Sequence, residues 1–331
     1  MKAIGVINAS LHDLQLPEPV PGPRDILVRV EAISVNPVDT KMRRAPQPNP
    51  IIPRVLGYDA AGTVVAVGAE ATLFAPGDQV YYAGSIVRPG ANSELHIVDE
   101  RIVAKKPATL DMAQAAALPL TSITAWEALF ERLGIDRHGA DAGKRILIVG
   151  GAGGVGSIAI QLASTLAKLD VIATASRPES AAWCRELGAT RIVDHHGDVP
   201  GQLLAQGVQS VDYVLCLNDL DQHFPALAEA LAPQGKLCSI VRNERPLLLD
   251  MLFGKSATLV FELMFTRSTY TTPDMIEQHT LLTAVAQLVD DGVLKTTVNE
   301  VAGTINAANL TRAHKALDAG ATIGKIVLAG F

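Results

Sequence analysis

The chain is short of cysteine and of charge, and it has no long basic or unbroken apolar run. Its 331 residues hold three cysteines, Cys184, Cys216 and Cys238, far apart and without C-x-x-C spacing. That excludes a disulfide framework and a thiolate metal knuckle, and reads as small buried thiols in a reducing compartment. With charged residues at 19%, a net charge of −6 and no basic tract, neither nucleic acid nor an anionic membrane is an expected partner. The first residues, 1–7, read as a strand and lack the apolar core and cleavage site of a signal peptide, so a cytoplasmic location is expected. The longest apolar stretch, 146–163, is interrupted by five glycines, Ser157 and Gln161, which argues against a membrane span.

What is present is organised in three textures. Up to about residue 120 the chain is rich in Val, Gly and Pro, with strands expected at 26–30, 62–68 and 79–82 and a Pro76-Gly77-Asp78 turn. This predicts a small antiparallel barrel-like domain. Helical patterns at 111–117 and 121–130 follow, then alternating strands (145–149, 171–175, 191–193, 213–217, 236–241) and helices (157–166, 179–187), the pattern of a doubly wound parallel sheet. The tail predicts helices at 273–291 and 307–319 and a strand at 325–328, and is expected to return to the first domain.

The strongest local signal is Gly151-Ala152-Gly153-Gly154-Val155-Gly156, which follows a predicted strand and opens a predicted helix. A pyrophosphate needs bare backbone N–H groups at a helix N-terminus, where a Cβ would obstruct it, and the last glycine lets the helix pack on the sheet. At the end of the next strand an NAD site usually has Asp or Glu; here stand Ser176 and Arg177, while Asp170 lies at the other end. A hydroxyl and a guanidinium suit a 2′-phosphate that a carboxylate would repel, so the expected cofactor is NADPH.

Together with that turn, Ser34-Val35-Asn36-Pro37-Val38-Asp39, Gly57-Tyr58-Asp59-Ala60-Ala61-Gly62 and Leu118-Pro119-Leu120-Thr121-Ser122-Ile123-Thr124-Ala125-Trp126 make the chain resemble the medium-chain dehydrogenase/reductase superfamily over nearly its full length. It is most similar to the zinc-free quinone oxidoreductase branch, and within it to a bacterial group labelled zinc-type alcohol dehydrogenase-like. The resemblance implies an α/β fold. A GroES-like β-barrel catalytic domain would comprise 1–123 and 271–331, and a Rossmann domain 124–270, with the active site in the cleft between them and a homodimer or homotetramer as the assembly.

It also implies roles. Zinc-bearing relatives hold the catalytic metal with Cys near the Asn36 position, His in a Gly-His-Glu motif and a later Cys or Asp. Here the motif reads Gly57-Tyr58-Asp59 and no cysteine precedes Cys184, so a catalytic zinc, which needs about three such ligands, is not expected. Asn36, Lys41 and Tyr58 are the catalytic candidates, although Asn36 before Pro37 is also a turn former and Asp39 a structural acceptor. Thr124, His195, Val241 and Lys325 join the glycine turn, Ser176 and Arg177 as cofactor candidates. Phe261, Met264 and Phe265 read as pocket lining or as core. Without a Lewis acid, hydride transfer to a quinone or an α,β-unsaturated carbonyl remains feasible. A carbonyl reductase or alcohol dehydrogenase acting on small aldehydes or alcohols and an NADPH-binding protein without turnover stay open, because the fold alone does not decide among them.

Overall fold

Strand Asp25–Ser34 buries Ile26, Val28 and Val30 on one face while Arg29 is exposed, the period of two expected of a half-buried strand. In the computed structural model, which describes residues 1–47, 49 and 52–331, this strand is the spine of a seven-stranded sheet. It pairs antiparallel with Ala60–Val67, Leu95–Asp99 and Lys325–Ala329, so a strand near the end of the chain lies beside one near its start. A three-stranded sheet of Ser10–Gln15, Lys2–Ile7 and Arg54–Val55 accompanies it. Ile26, Val28, Ile33, Val80, Leu310 and Leu328 are among the residues of its core.

These elements form one unit, Met1–Ile123 with Phe265–Phe331; Thr124–Met264 forms the other. The tail therefore belongs with the first unit. The return comes at Phe265, six residues ahead of the expected 271, because Phe265 packs edge-on against Tyr58 with ring centroids 5.4 Å apart and Arg267 pairs with Asp274 at 3.0 Å.

The second unit is a six-stranded parallel sheet in the order Arg191–Val193, Asp170–Thr174, Arg145–Val149, Val211–Cys216, Leu231–Ser239, Thr258–Phe261. Its middle strands are continuous apolar runs because helices cover both faces of such a sheet. Leu147, Val149, Ile172, Val214 and Leu237 meet helix residues Phe224 and Leu227 in its core. The order reverses between Arg145–Val149 and Val211–Cys216, the switch point beside which a doubly wound sheet takes its ligand. The helix expected at 121–130 is instead an α-helix, Pro119–Trp126, followed by a π-helical turn, Glu127–Arg132. Among the described residues no helix is long and apolar enough to cross a membrane.

Candidate cofactor turn and buried polar cluster

Strand Arg145–Val149 ends at Gly150, which takes φ +82 and donates its N–H to the Thr174 hydroxyl at 2.9 Å. Gly151 donates to the Thr174 carbonyl, which ties the turn to the neighbouring strand. Helix Gly154–Thr165 then starts from Gly153, which brings no side chain to cap it. The first N–H groups of a helix have no intrahelical acceptor and carry the positive end of its dipole. The turn residues differ in what they tolerate. A Cβ on Gly156 would lie 2.5 Å from the carbonyl oxygens of Gly150 and Gly151, so this glycine is needed for packing. A Cβ on Gly153 would come no closer than 3.5 Å to the chain, so packing does not require a glycine there. Gly151 is buried, whereas Gly153, Gly154 and Val155 are partly open. These groups fit the pyrophosphate of a dinucleotide.

The exit of strand Asp170–Thr174 carries Ser176, exposed, and Arg177, half-buried, which begins helix Pro178–Glu186. Asp170, at the opposite end of the strand, is bound to Arg191 at 2.6 Å and to Thr190. No carboxylate of this strand stands at its C-terminal end. Ala175 donates to the Val193 carbonyl, so the exits leading to Ser176 and to His195 lie side by side. Val241 sits just beyond strand Leu231–Ser239, held by reciprocal hydrogen bonds with the Ser239 hydroxyl. Thr124 is buried in its helix.

In the first unit the candidate residues meet in a buried polar cluster. Asn36 caps helix Pro37–Arg44, and Asp39, three residues on, returns the contact by accepting from the Asn36 N–H at 2.8 Å. Asp39 also accepts from Gly57 N–H at 3.1 Å. Burial pushes the Asp39 carboxyl up to about 7. Asp59 accepts from the Asn36 amide at 2.8 Å, from Leu120 N–H at 2.7 Å and from the Lys325 ammonium at 3.0 Å. Burial raises the Asp59 carboxyl and the nearby ammonium opposes this. Tyr58 is buried, and its phenol is held protonated, first by burial and then by the Asp39 carboxylate.

Two expectations meet a different geometry here. Lys325 is expected among the cofactor ligands, but its ammonium is buried and donates to Val35 O, Asn36 Oδ1 and Asp59 Oδ2, one acceptor for each of its three protons. Asn36 is expected in catalysis, but its amide donates to Tyr58 O and Asp59 and accepts from Lys325, so its polar atoms are engaged within the buried cluster. Lys41 is exposed on the same helix, two residues from Asp39. Of Phe261, Met264 and Phe265, the last two are buried and Phe261 is exposed. In the sequence Asp59 stands out only as part of its Gly-Tyr-Asp motif, and spacing gives no sign of its partner 266 residues away.

The donor set does not fit a catalytic zinc. The motif positions hold an amide bonded to a buried ammonium, a protonated phenol and a carboxylate already paired with that ammonium, and among the described residues no group of three His, Cys, Asp or Glu side chains is arranged to hold a metal ion.

An alcohol dehydrogenase GroES-like domain matches residues 22–108, and a zinc-binding dehydrogenase domain matches residues 187–328. A Staphylococcus aureus zinc-type alcohol dehydrogenase-like protein is 42% identical, covering 94% of this chain and 92% of its own. The chain belongs to the medium-chain dehydrogenase/reductase superfamily. Two crystal structures of the superfamily superpose over almost the whole length. One, from Rhizobium etli and described as a zinc-dependent alcohol dehydrogenase protein, has a TM-score of 0.94 at 49% identity, covering 100% of this chain and 98% of that one. The other, Escherichia coli quinone oxidoreductase complexed with NADPH, has a TM-score of 0.84 at 25% identity, covering 99% and 100%. Membership makes this chain an oxidoreductase of the superfamily, whose members use nicotinamide cofactors.

Proposed function

We propose that the chain is an NADPH-dependent oxidoreductase that delivers hydride, without a catalytic zinc ion, to a quinone or an α,β-unsaturated carbonyl. The observation that carries this reading is the Lys325 ammonium held between Asn36 and Asp59, beside Tyr58, which stands at the place of the metal-binding His of zinc-bearing relatives. NADPH is supported by the hydroxyl and guanidinium at Ser176 and Arg177, where a carboxylate would select against a 2′-phosphate.

Bound NADPH supplies the hydride. An electron-poor acceptor takes it at carbon because the charge delocalises onto oxygen, so orientation, hydrogen bonds and a proton suffice. The protonated Tyr58 phenol and the exposed Lys41 ammonium are the two candidate donors for that proton. Gly153, Gly154, Val155 and Gly156 hold the pyrophosphate, Ser176, Arg177 and His195 the adenosine end, and Thr124 and Val241 the nicotinamide end. In this reading Lys325 organises the cluster and has no phosphate to bind.

Steady-state kinetics test the proposal with NADPH and NADH against 9,10-phenanthrenequinone, an enone and an aldehyde, before and after chelation. Turnover of the quinone or enone with NADPH, unchanged by chelator and shifted toward NADH by Arg177→Ala, is the expected result. Stoichiometric zinc lost together with activity would overturn it. Turnover of the aldehyde alone would make the chain a carbonyl reductase, and tight NADPH binding without turnover a binding protein.

A further inference from the structure

Three of the eight histidines meet at one corner of the second unit. His195 and His196 follow strand Arg191–Val193, and His223 stands in helix Leu220–Ala230, one turn from its N-cap, Asp219. The His195 ring lies 4.2 Å from that of His196 and 5.8 Å from that of His223, centroid to centroid. His223 is buried, His195 half-buried and His196 exposed. Nδ1 of His195 is buried and makes no hydrogen bond. Three imidazoles in contact, one with an unpartnered nitrogen, exceed what packing at a strand exit requires.

The corner lies on the C-terminal edge of the sheet, where the cofactor groups are. The strand exits bearing His195 and Ser176–Arg177 are hydrogen-bonded neighbours, and Leu217 and Asn218, which lead into the helix of His223, lie against Gly150 of the glycine turn. The charged groups around the cluster are few. Asp194 faces His195 and Asp219 faces His223, each accepting from a backbone N–H. Asp198, at the next helix, is bound to Gly201 N–H, Asp221 to Glu244 and Arg245 N–H, and Arg191 to Asp170.

We propose that His195, His196 and His223 form a proton-gated receptor for the 2′-phosphate of the cofactor, so that preference for the phosphorylated cofactor rises as pH falls below neutrality. This rests on the reading of Ser176 and Arg177 as the neighbouring phosphate ligands. A neutral imidazole offers one donor, whereas an imidazolium offers two and a charge. In the free protein, burial foremost and the neighbouring imidazoles next hold His195 below the usual imidazole range; burial does the same for His223, with Asp219 opposing it. A dianionic phosphate among the rings turns that repulsion into attraction, so the cluster takes up protons as the cofactor binds. A phosphate entering a fixed cationic site would instead release its own proton, since its second ionisation lies near about 6. The sign of proton transfer therefore separates the two kinds of site.

Isothermal titration of the whole protein with NADP⁺ and with NAD⁺ at pH 6.5, in two buffers of different ionisation enthalpy, reads that sign. Roughly half a proton or more taken up with NADP⁺ beyond that with NAD⁺ is expected. The NADP⁺/NAD⁺ affinity ratio should also rise roughly tenfold from pH 8 to pH 6. In the double variant His196→Gln, His223→Gln most of that rise should vanish. Equal proton uptake for both cofactors in the wild type, or an undiminished rise in the double variant, overturns the proposal. A constant preference for NADP⁺ at every pH overturns the gate while leaving the Ser176–Arg177 reading intact. Equal affinity for the two cofactors at every pH, unaltered by Arg177→Ala, overturns that reading and the gate with it.

Discussion

Lys325 and Asp59 form an ion pair 3.0 Å long in which both side chains are buried, 4% and 0% exposed. An isolated buried carboxylate is far costlier than a paired one, so the pair is best probed by removing one partner. Lys325→Met should destabilise the protein by about 3–5 kcal/mol, and adding Asp59→Asn to it should recover part of that loss. Denaturant unfolding monitored by tryptophan fluorescence and by circular dichroism checks both. If Lys325→Met leaves stability unchanged but weakens cofactor binding, the lysine serves a phosphate after all.

This pair also marks the limit of what can be read from the chain alone. The apolar run 145–149, the glycine turn and the helix after it are local patterns, and the strand and helix form where those patterns lie. The Asn36–Asp39 spacing is a local capping signal of the same kind. Strand Ser10–Gln15 is exposed or half-exposed throughout and presents no apolar alternation to find. Strand Thr258–Phe261 is not among the expected strands, because a four-residue edge strand is too short for its period to show. Lys325 with Asp59, and His223 with His195, are brought together only by the folded chain, so no spacing announces them.

The glycine turn predicts a separation of stability from binding. Gly153→Ala puts a methyl into space the protein does not use, so stability should stay within about 1 kcal/mol of wild type. Dinucleotide affinity should fall roughly tenfold or more, because that space is where the pyrophosphate approaches. Gly156→Ala meets two carbonyl oxygens at 2.5 Å and should lose about 1–3 kcal/mol of stability. Thermal unfolding and cofactor fluorescence titration on the two variants check the contrast. Equal losses of both properties in both variants would remove the pyrophosphate from Gly153.

Acid should weaken the fold through His314. Its ring is buried on helix Ala307–Asp318, neither nitrogen makes a hydrogen bond, and burial with Arg43 nearby lowers it to about 4. A histidine that is neutral when folded and titrates near 6.5 when unfolded gives proton uptake to the unfolded state, so stability falls as pH drops from about 6.5 toward 4. At pH 5 that is about 2 kcal/mol. Asp39, pushed up to about 7, acts in the opposite sense, since the folded state already holds its proton as pH falls below 7. His314→Leu isolates the first effect. The variant should keep about 2 kcal/mol more of its neutral-pH stability at pH 5 than wild type does, measured by urea unfolding at pH 7.5 and 5.0. An identical acid response in the two proteins would place the sensitivity elsewhere.

The parallel sheet of the second unit ends on strand Thr258–Phe261, which pairs with Leu231–Ser239 on one side, with no strand paired to its other edge among the described residues. Thr258 and Phe261 are exposed, Leu259 and Val260 half-buried, and Leu263 exposed two residues on. A bare apolar sheet edge invites another strand, and folded proteins usually cover or charge it. A second copy meeting it about a twofold axis would pair the strand with itself in antiparallel register. The homodimer or homotetramer that the resemblance implies can therefore be tested at this edge. Phe261→Lys with Leu263→Lys places like charges opposite one another across such an axis, so the dissociation constant should rise about a hundredfold or more. Light scattering coupled to gel filtration should show the mass falling to that of one chain, or from four chains to two. A wild type that is monomeric at micromolar concentration, or a charged variant whose mass is unchanged, would move the interface away from this strand.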